Sequence, residues 1–183
     1  MTNATPEEVL NINIQIELMN LNNMQDIYDF EVENREYFEK NLPPRGVEYY
    51  IPEKFNQIIQ SLIDEQGRGE CFMYVVRDSA HKMVGRVNFT SVVNGEAKSA
   101  ELGYRIGECA VGKGITTEAV RLALKLGAGE HGFVKITAGT SSDNIASQKV
   151  LEKNGFSLVD KMENFMKING EWVDSLNYVR LLN

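Results

Sequence analysis

The stretch from Glu101 to Val120, ELGYRIGECAVGKGITTEAV, joins a strand pattern to a helix pattern through a glycine-bearing turn. Residues Ser99–Ile106 are of β type, whereas apolar side chains recur at helical spacing after Gly114. Gly112 and Gly114 let the backbone of the turn come close to a ligand. Backbone N–H groups at such a turn and helix start bind anions, above all phosphate. The stretch therefore predicts an anion-binding turn between a strand and a helix.

Two better-known glycine motifs fit this turn poorly. Gly107 to Lys113 matches the first seven positions of the phosphate loop of nucleotide hydrolases, but Gly114 stands where Ser or Thr must hold magnesium. The dinucleotide-binding fingerprint would need its third glycine at Thr117. A tight turn that binds no ligand is the remaining alternative. Whether the turn binds an anion must therefore be judged from other parts of the chain.

The remaining patterns predict one mixed α+β domain over residues 1–183, a largely antiparallel sheet flanked by helices. Residues 12–18 alternate as a half-buried strand, Asn22 or Asn23 caps the next helix, and Pro52 begins another helix. Further strands are predicted at Cys71–Val76, Met83–Val92, Phe133–Ala138, Phe165–Ile168 and Trp172–Leu181, with Asn94-Gly95 and Asn169-Gly170 at hairpin turns.

Helix ends and polar segments follow from the same reading. Gly127 and Gly129 are predicted to stop the helix after the glycine turn, and Asn144 to cap a short helix, Ile145–Lys153. Met1–Glu8 is polar and is predicted to fray. The acidic residues of the first helical region are predicted to cover a solvated face or to flank a substrate groove: Asp29, Glu31, Glu33 and Glu39.

Composition narrows the class of protein. The chain has 183 residues, 43% hydrophobic and 25% charged, as is typical of a soluble globular protein. Its formal net charge of −7 argues against nucleic acid as a direct ligand and suits a cationic substrate. The two cysteines and two histidines show no zinc spacing and no Ser-His-Asp triad, so we expect no metal. Neither a membrane span nor a signal pattern is evident, which predicts a cytoplasmic protein.

A wider constellation points to a family. It comprises Glu101-Leu-Gly-Tyr104, the glycine turn with Thr-Thr-Glu-Ala-Val after it, Asp143-Asn-x-x-Ser147, and Val150-Leu-Glu-Lys-Asn-Gly-Phe156. Together these motifs resemble the GNAT superfamily of acetyl-CoA-dependent acetyltransferases, and within it the RimJ/RimL-like branch of ribosomal-protein N-terminal acetyltransferases. The resemblance is close from Met83 to Leu182. Arg105, Ala110 and Val111 stand where that branch favours aromatic residues, so the acceptor pocket is the part that differs.

The resemblance implies where acetyl-CoA lies. Pantetheine would pair with the backbone of the strand, and the pyrophosphate would meet the amides of the glycine turn and the helix start. Asn144 would contact the pantetheine or only cap its helix. The cofactor-binding residues implied in this way are Tyr104, Arg105, Ile106, Val111, Gly112, Lys113, Gly114, Ile115, Thr116, Thr117 and Asn144.

The resemblance also implies an acid and a base. Glu101 would take a proton from the acceptor amine through water, and Ser147 would donate a hydrogen bond to the departing thiolate. The alternatives are a strand-edge carboxylate in an ordinary ion pair and a solvent-facing serine near a helix start. The Tyr104 side chain is predicted to serve mainly in packing, and Cys109 to be a loop thiol.

Three functions remain open at this point. The leading one is transfer of acetyl to the N-terminal α-amine of a protein, with a ribosomal protein as the branch implies. A small amine such as a polyamine or an aminoglycoside would use the same chemistry. A CoA-binding regulator without turnover is the third. Arg105 and Leu42–Tyr50 are predicted to line the acceptor groove, and a homodimer is left open.

Overall fold

The computed structural model describes residues 12–168 and 170–182. The predictions for Met1–Glu8 and for Asn169 of the last turn lie outside those residues. The strands are β1 (Gln15–Leu18), β2 (Phe72–Arg77), β3 (Met83–Val93), β4 (Ser99–Ile106), β5 (Lys135–Ser141), β6 (Ser157–Ile168) and β7 (Glu171–Leu181). The α-helices are α1 (Met24–Glu33), α2 (Arg35–Asn41), α3 (Pro52–Gly67), α4 (Ile115–Gly129) and α5 (Ile145–Lys153).

All seven described strands form one sheet in the order β1-β2-β3-β4-β5-β7-β6. Every neighbouring pair is antiparallel except β4 and β5, which run parallel because α4 crosses over between them. The predicted α+β fold with a mixed, largely antiparallel sheet is therefore confirmed.

Helices cover both faces of the sheet, and each face has its own core. Alternate β4 residues Ala100, Leu102 and Ile106 pack with the apolar side of α4 in the larger core. A second core joins the opposite face to α1–α3, where Phe55 and Ile59 of α3 are fully buried. The α4 residues predicted to face inward, Ala119, Val120, Ala123 and Leu124, are all buried. Period-2 alternation along the strands accounts for this division between two cores.

Several local predictions need correction. The first strand is only Gln15–Leu18. Asn23 is the N-cap position of α1, as the prediction allowed, but its side chain makes no capping bond to that helix. The capping bonds lie in the short 3-10 turn Leu21–Asn23 before α1, where the Asn20 side chain accepts from the Asn22 N–H at 2.9 Å and the Asn23 side chain accepts from the Asn20 N–H at 3.0 Å. A capping box of this kind uses two reciprocal hydrogen bonds, which the short-range pattern alone did not assign.

The remaining differences concern α4, β5 and β6. Gly127 does not end α4 but lies buried inside it, where a Cβ would come within 3.1 Å of the Phe89 ring. β5 begins at Lys135 rather than Phe133. β6 begins at Ser157 rather than Phe165. The prediction missed its first half because that half is solvent-exposed and lacks the apolar alternation that marks a strand.

Candidate active site

The sheet opens between its two parallel strands. β4 and β5 pair only at Ser99–Glu101 with Lys135–Thr137, and beyond these residues they have no further register partners. β4 keeps β3 on its other side and β5 keeps β7. The facing edges from Leu102 and from Ala138 onward therefore present backbone N–H and C=O groups that another chain-like molecule can pair with.

A cleft of about 320 Å³ occupies this gap. It is lined by the separating strand ends, by α5, by the glycine turn, and by α2 with the loop after it. Seven of the predicted site residues line it: Tyr104, Arg105, Ile106, Val111, Thr116, Asn144 and Ser147. The other predicted residues lie outside that lining: Glu101, Gly112, Lys113, Gly114, Ile115 and Thr117. The structure thus brings together three segments that are far apart in the sequence.

The glycine turn has the backbone that its composition predicted. Gly112 and Gly114 adopt φ of +76° and +75°, in the left-handed region. Gly114 is the N-cap of α4 and makes no side-chain capping bond, so the amides at the helix start are available to an anion. A Cβ at Gly112 would meet nothing within 4 Å, whereas one at Gly114 would lie 2.5 Å from the Ile12 side chain. Gly112 therefore borders open space, whereas a side chain at Gly114 would have to move the end of the Ile12 side chain aside.

The start of α5 is built around Ser147. Asn144 is its N-cap as predicted, and its Oδ1 accepts from the Ser147 N–H at 3.0 Å. The hydroxyl oxygen of Tyr104 lies 2.7 Å from Ser147 Oγ and donates to the Ser147 carbonyl at 3.2 Å. Burial raises the pKa of Tyr104 to about 12, so the phenol stays protonated. Tyr104 therefore does more than pack, and no short-range pattern could show this because 43 residues separate it from Ser147.

Glu101 lies at the closed end of the gap. It is the last β4 residue paired to β5, opposite Thr137, and it is exposed. By strand alternation its side chain shares a face with Gly103 and Arg105, whereas Tyr104 and Ser147 lie on the other face. The gap thus separates a carboxylate on one side of the sheet from a hydroxyl pair on the other.

A buried ion cluster lies beside the cleft on the α1–α3 side, and Arg105 is its member that lines the cleft. Glu31 has a fully buried side chain, and its carboxylate lies 2.8 Å from Arg105 Nη1, 3.0 Å from Arg86 Nη1 and 3.9 Å from Arg45 Nε. Desolvation by burial raises the pKa of Glu31, but the three guanidinium groups outweigh it and hold the pKa below its usual value. The prediction that Glu31 covers a solvated face was therefore wrong, because its partners come from distant strands and a loop.

The predicted groove residues fall partly on this side of the cleft. Arg105 lines the cleft with its guanidinium carbon 4.8 Å from the centre of the Phe38 ring, and Leu42 and Pro43 line it as well. Tyr49 is buried and does not line the cleft. Phe38 thus packs against the Arg105 guanidinium at the cleft.

Two further findings concern only the part of the chain that the structure describes. None of these residues forms a group of three or more His, Cys, Asp or Glu side chains that could hold a metal ion. No helix among them is long and apolar enough to cross a membrane.

Comparison with known proteins identifies the family. Residues 17–157 match the acetyltransferase (GNAT) domain, so the chain belongs to the GNAT acetyltransferase family. A probable N-acetyltransferase of Bacillus subtilis, YjcK, is 29% identical over 88% of this chain and 90% of its own. The [ribosomal protein uS5]-alanine N-acetyltransferase of Escherichia coli is 26% identical over 80% of this chain and 76% of its own. The chain is accordingly an N-acetyltransferase with relatives of the RimJ/RimL kind, as predicted.

Solved structures agree on the fold. A ribosomal-protein-S5-alanine acetyltransferase from Vibrio fischeri superposes with a TM-score of 0.86 at 24% identity, covering 92% of both chains. RimL, a ribosomal L7/L12 α-N-protein acetyltransferase solved with coenzyme A, gives 0.83 at 20% identity over 92% and 94% of the chains. Spermidine N-acetyltransferase from Vibrio cholerae, solved with CoA and spermine, gives 0.77 at 18% over 92% and 95%. At these identities the likeness concerns the fold, which hosts more than one kind of acceptor.

Proposed function

We propose that this enzyme transfers the acetyl group of acetyl-CoA to the N-terminal α-amine of a protein. The observation that carries the proposal is the gap between β4 and β5, which has the glycine turn at one end and the Ser147–Tyr104 pair on its wall. The relatives named for acting on ribosomal-protein alanine support the choice of acceptor. A cytoplasmic location and a ribosomal protein as acceptor belong to the same proposal.

Acetyl-CoA fits the chemistry of this gap. The unpaired edge of β4 from Leu102 to Ile106 can pair with the amide groups of pantetheine. The amides from Val111 to Thr117, with open space at Gly112, can hold the pyrophosphate at the N-terminus of α4. The co-substrate supplies an activated acyl group whose leaving group is a thiolate, with an ordinary pKa near 8.5.

The amine must lose a proton before it attacks. An α-amino group with a pKa near 7.7–8.0 needs roughly 1 kcal/mol at pH 7, whereas a lysine near 10.4 needs about 4.6 kcal/mol. We assign the receipt of this proton, through water, to Glu101, which is exposed at the closed end of the gap. A modest base of this kind suffices for an α-amine and does little for lysine, which favours an N-terminal acceptor.

The Ser147–Tyr104 pair lies on the opposite side and suits the leaving thiolate. Ser147 Oγ can donate a hydrogen bond to the sulfur as the C–N bond forms and the C–S bond breaks. Full proton transfer from Tyr104, with its pKa of about 12, to a thiolate near 8.5 would be uphill by about 5 kcal/mol. Tyr104 therefore orients Ser147 rather than acting as the final acid.

A small-amine acceptor is the second candidate, supported by the spermidine acetyltransferase that shares the fold. Acetyl-CoA turnover with a panel of peptides and small amines distinguishes the two, and it also tests the CoA-binding regulator, which would turn over none of them. A peptide with a free N-terminus should be acetylated on its α-amine, ahead of an N-terminally blocked peptide that contains lysine, and ahead of spermidine. Preferential labelling of the blocked peptide or of spermidine would reject the N-terminal acceptor.

Two substitutions test the assigned roles. Glu101→Gln should lower turnover by about 10²–10⁴-fold, with partial recovery at higher pH as the amine loses its proton unaided. Ser147→Ala should lower turnover with little change in acetyl-CoA binding. Glu53→Gln, at an exposed carboxylate in the first turn of α3, is the matched control. Wild-type turnover in both site variants would show that the roles are wrong.

A further inference from the structure

The ion cluster beside the cleft carries an excess of positive charge. Its members are Glu31, Arg45, Arg86 and Arg105, so three positive charges meet one negative charge and two remain unbalanced. Arg86 and Arg105 have side chains only 4% and 16% exposed, which limits screening by water. Buried charges are normally paired, so this excess calls for an anion.

The neighbouring carboxylates within residues 12–168 and 170–182 have other partners. Glu39 pairs with Arg35 at 2.8 Å, and Glu36 pairs with Lys40 at 3.0 Å, both within α2. The last residue of α1, Glu33, lies 3.5 Å from Lys82. None of these three carboxylates has an ion pair with an arginine of the cluster, so the local excess charge is opposite in sign to the chain's net charge of −7.

Two buried polar atoms in the same place lack hydrogen-bond partners among the described residues. They are Arg45 Nε and the hydroxyl of Tyr49, whose residue is 8% exposed. The Arg45 guanidinium carbon lies 4.1 Å from the centre of the Tyr49 ring, which places the two groups side by side. An arginine N–H can only donate, and burial raises the pKa of Tyr49 so that it also keeps its proton. One anionic oxygen could accept from both.

We propose that the cluster binds an acidic group of the acceptor, namely an Asp or Glu side chain close to the N-terminus of the peptide. Arg105 connects the cluster to the cleft, because it contacts Glu31 and lines the cleft at once. Arg105 follows Glu101 by four positions along β4, about 13 Å, a distance that an extended peptide spans in about four residues. The Arg105 side chain and the acidic side chain of the peptide each cover part of this distance. The acidic residue therefore belongs at position two, three or four of the peptide, counted from its N-terminus. This inference rests on the proposed function, and it disfavours a polyamine, which the excess positive charge would repel.

The test uses C-terminally amidated peptides with a free α-amine and one Glu placed in turn at positions two to five. Matched peptides carry Gln or Lys at the same place. At the best position, Glu should raise kcat/KM by about 10–100-fold over Gln, as a charge-assisted hydrogen bond would, and Lys should lower it. Added salt should shrink the preference.

Variants tie the preference to the cluster. Arg45→Gln and, separately, Tyr49→Phe should each bring the Glu-to-Gln ratio of kcat/KM towards one. Arg35→Gln is the control, because Arg35 also stacks on a tyrosine, 4.2 Å from the centre of the Tyr50 ring, but does not contact Glu31. It should keep the wild-type ratio. Thermal unfolding of each variant checks that it is folded at the assay temperature.

The outcomes separate this inference from the proposed function. Equal kcat/KM for Glu and Gln peptides at every position, or a preference for Lys, would overturn the inference and leave peptide acetylation standing. If every peptide is inert while small amines react, the N-terminal acceptor fails instead. The charge preference is then judged on 4-aminobutyrate against butylamine, where equal rates overturn it and a preference for the carboxylate that depends on Arg45 supports it.

Discussion

Replacing Glu31 with glutamine should destabilise the protein far more than an average substitution. The change keeps the shape of the side chain but removes the only carboxylate that contacts Arg45, Arg86 and Arg105 among the described residues. Since the Glu31 side chain is fully buried, water cannot replace it. The three guanidinium groups would then face one another without a counter-charge.

The magnitude follows from the burial. Breaking a buried ion pair by removing one partner costs about 3–5 kcal/mol. For a chain of this size each kcal/mol lowers the melting temperature by about 2–4 °C, so Glu31→Gln should lower it by about 6–20 °C. Because the pKa of Glu31 is lowered in the folded state, its contribution is complete above the usual value of 4.5. It is lost as the pH falls through the lowered pKa.

Denaturant unfolding at pH 7 and in the acid range measures both effects. The difference between wild type and variant should be large at pH 7 and should shrink only below pH 4.5. Glu39→Gln, in the partly exposed pair with Arg35, is the control and should leave the unfolding midpoint near that of the wild type. A loss at pH 7 of no more than about 1 kcal/mol, the average for point substitutions, would refute the reasoning.

Three other experiments test the site and its support. Tyr104→Phe should lower turnover. In the Tyr104→Phe background, Ser147→Ala should reduce turnover by a smaller factor than it does in the wild type. Additive losses in this double-mutant cycle would show that the two hydroxyls act independently. Gly114→Ala should lower the melting temperature more than Gly112→Ala, because both force an unfavourable φ but only Gly114→Ala must also displace the end of the Ile12 side chain. Equal melting temperatures would contradict this. Calorimetry with CoA should find weaker binding to Gly112→Ala. Gly127→Val should lower the melting temperature by forcing α4 away from the aromatic rings beneath it, and an unchanged melting temperature would mean that the helix shifts freely.

Local pattern was enough to predict most elements and the cofactor turn. The helical spacing after Gly114, the β pattern before it and the cap at Asn144 all depend on residues within a few positions of one another. Backbone conformations and anion-binding amides are local properties as well, so the positive φ at Gly112 and Gly114 could be anticipated from composition. The prediction missed most of β6, because the exposed part before Phe165 has no apolar alternation.

Only the tertiary structure decided which distant side chains meet. The Tyr104–Ser147 contact depends on how α5 returns to β4, and the burial of Glu31 depends on arginines 55 and 74 positions away. Helical spacing puts Glu31 on the same face of α1 as Ile27, but no residue near it in the chain supplies the positive charges that pair with it. The sequence by itself determined whether each segment is a helix or a strand, because the spacing of apolar side chains along the segment depends only on neighbouring residues. The charge beside the cleft was decided by strand register and helix packing, which bring remote charges into a space that water barely enters.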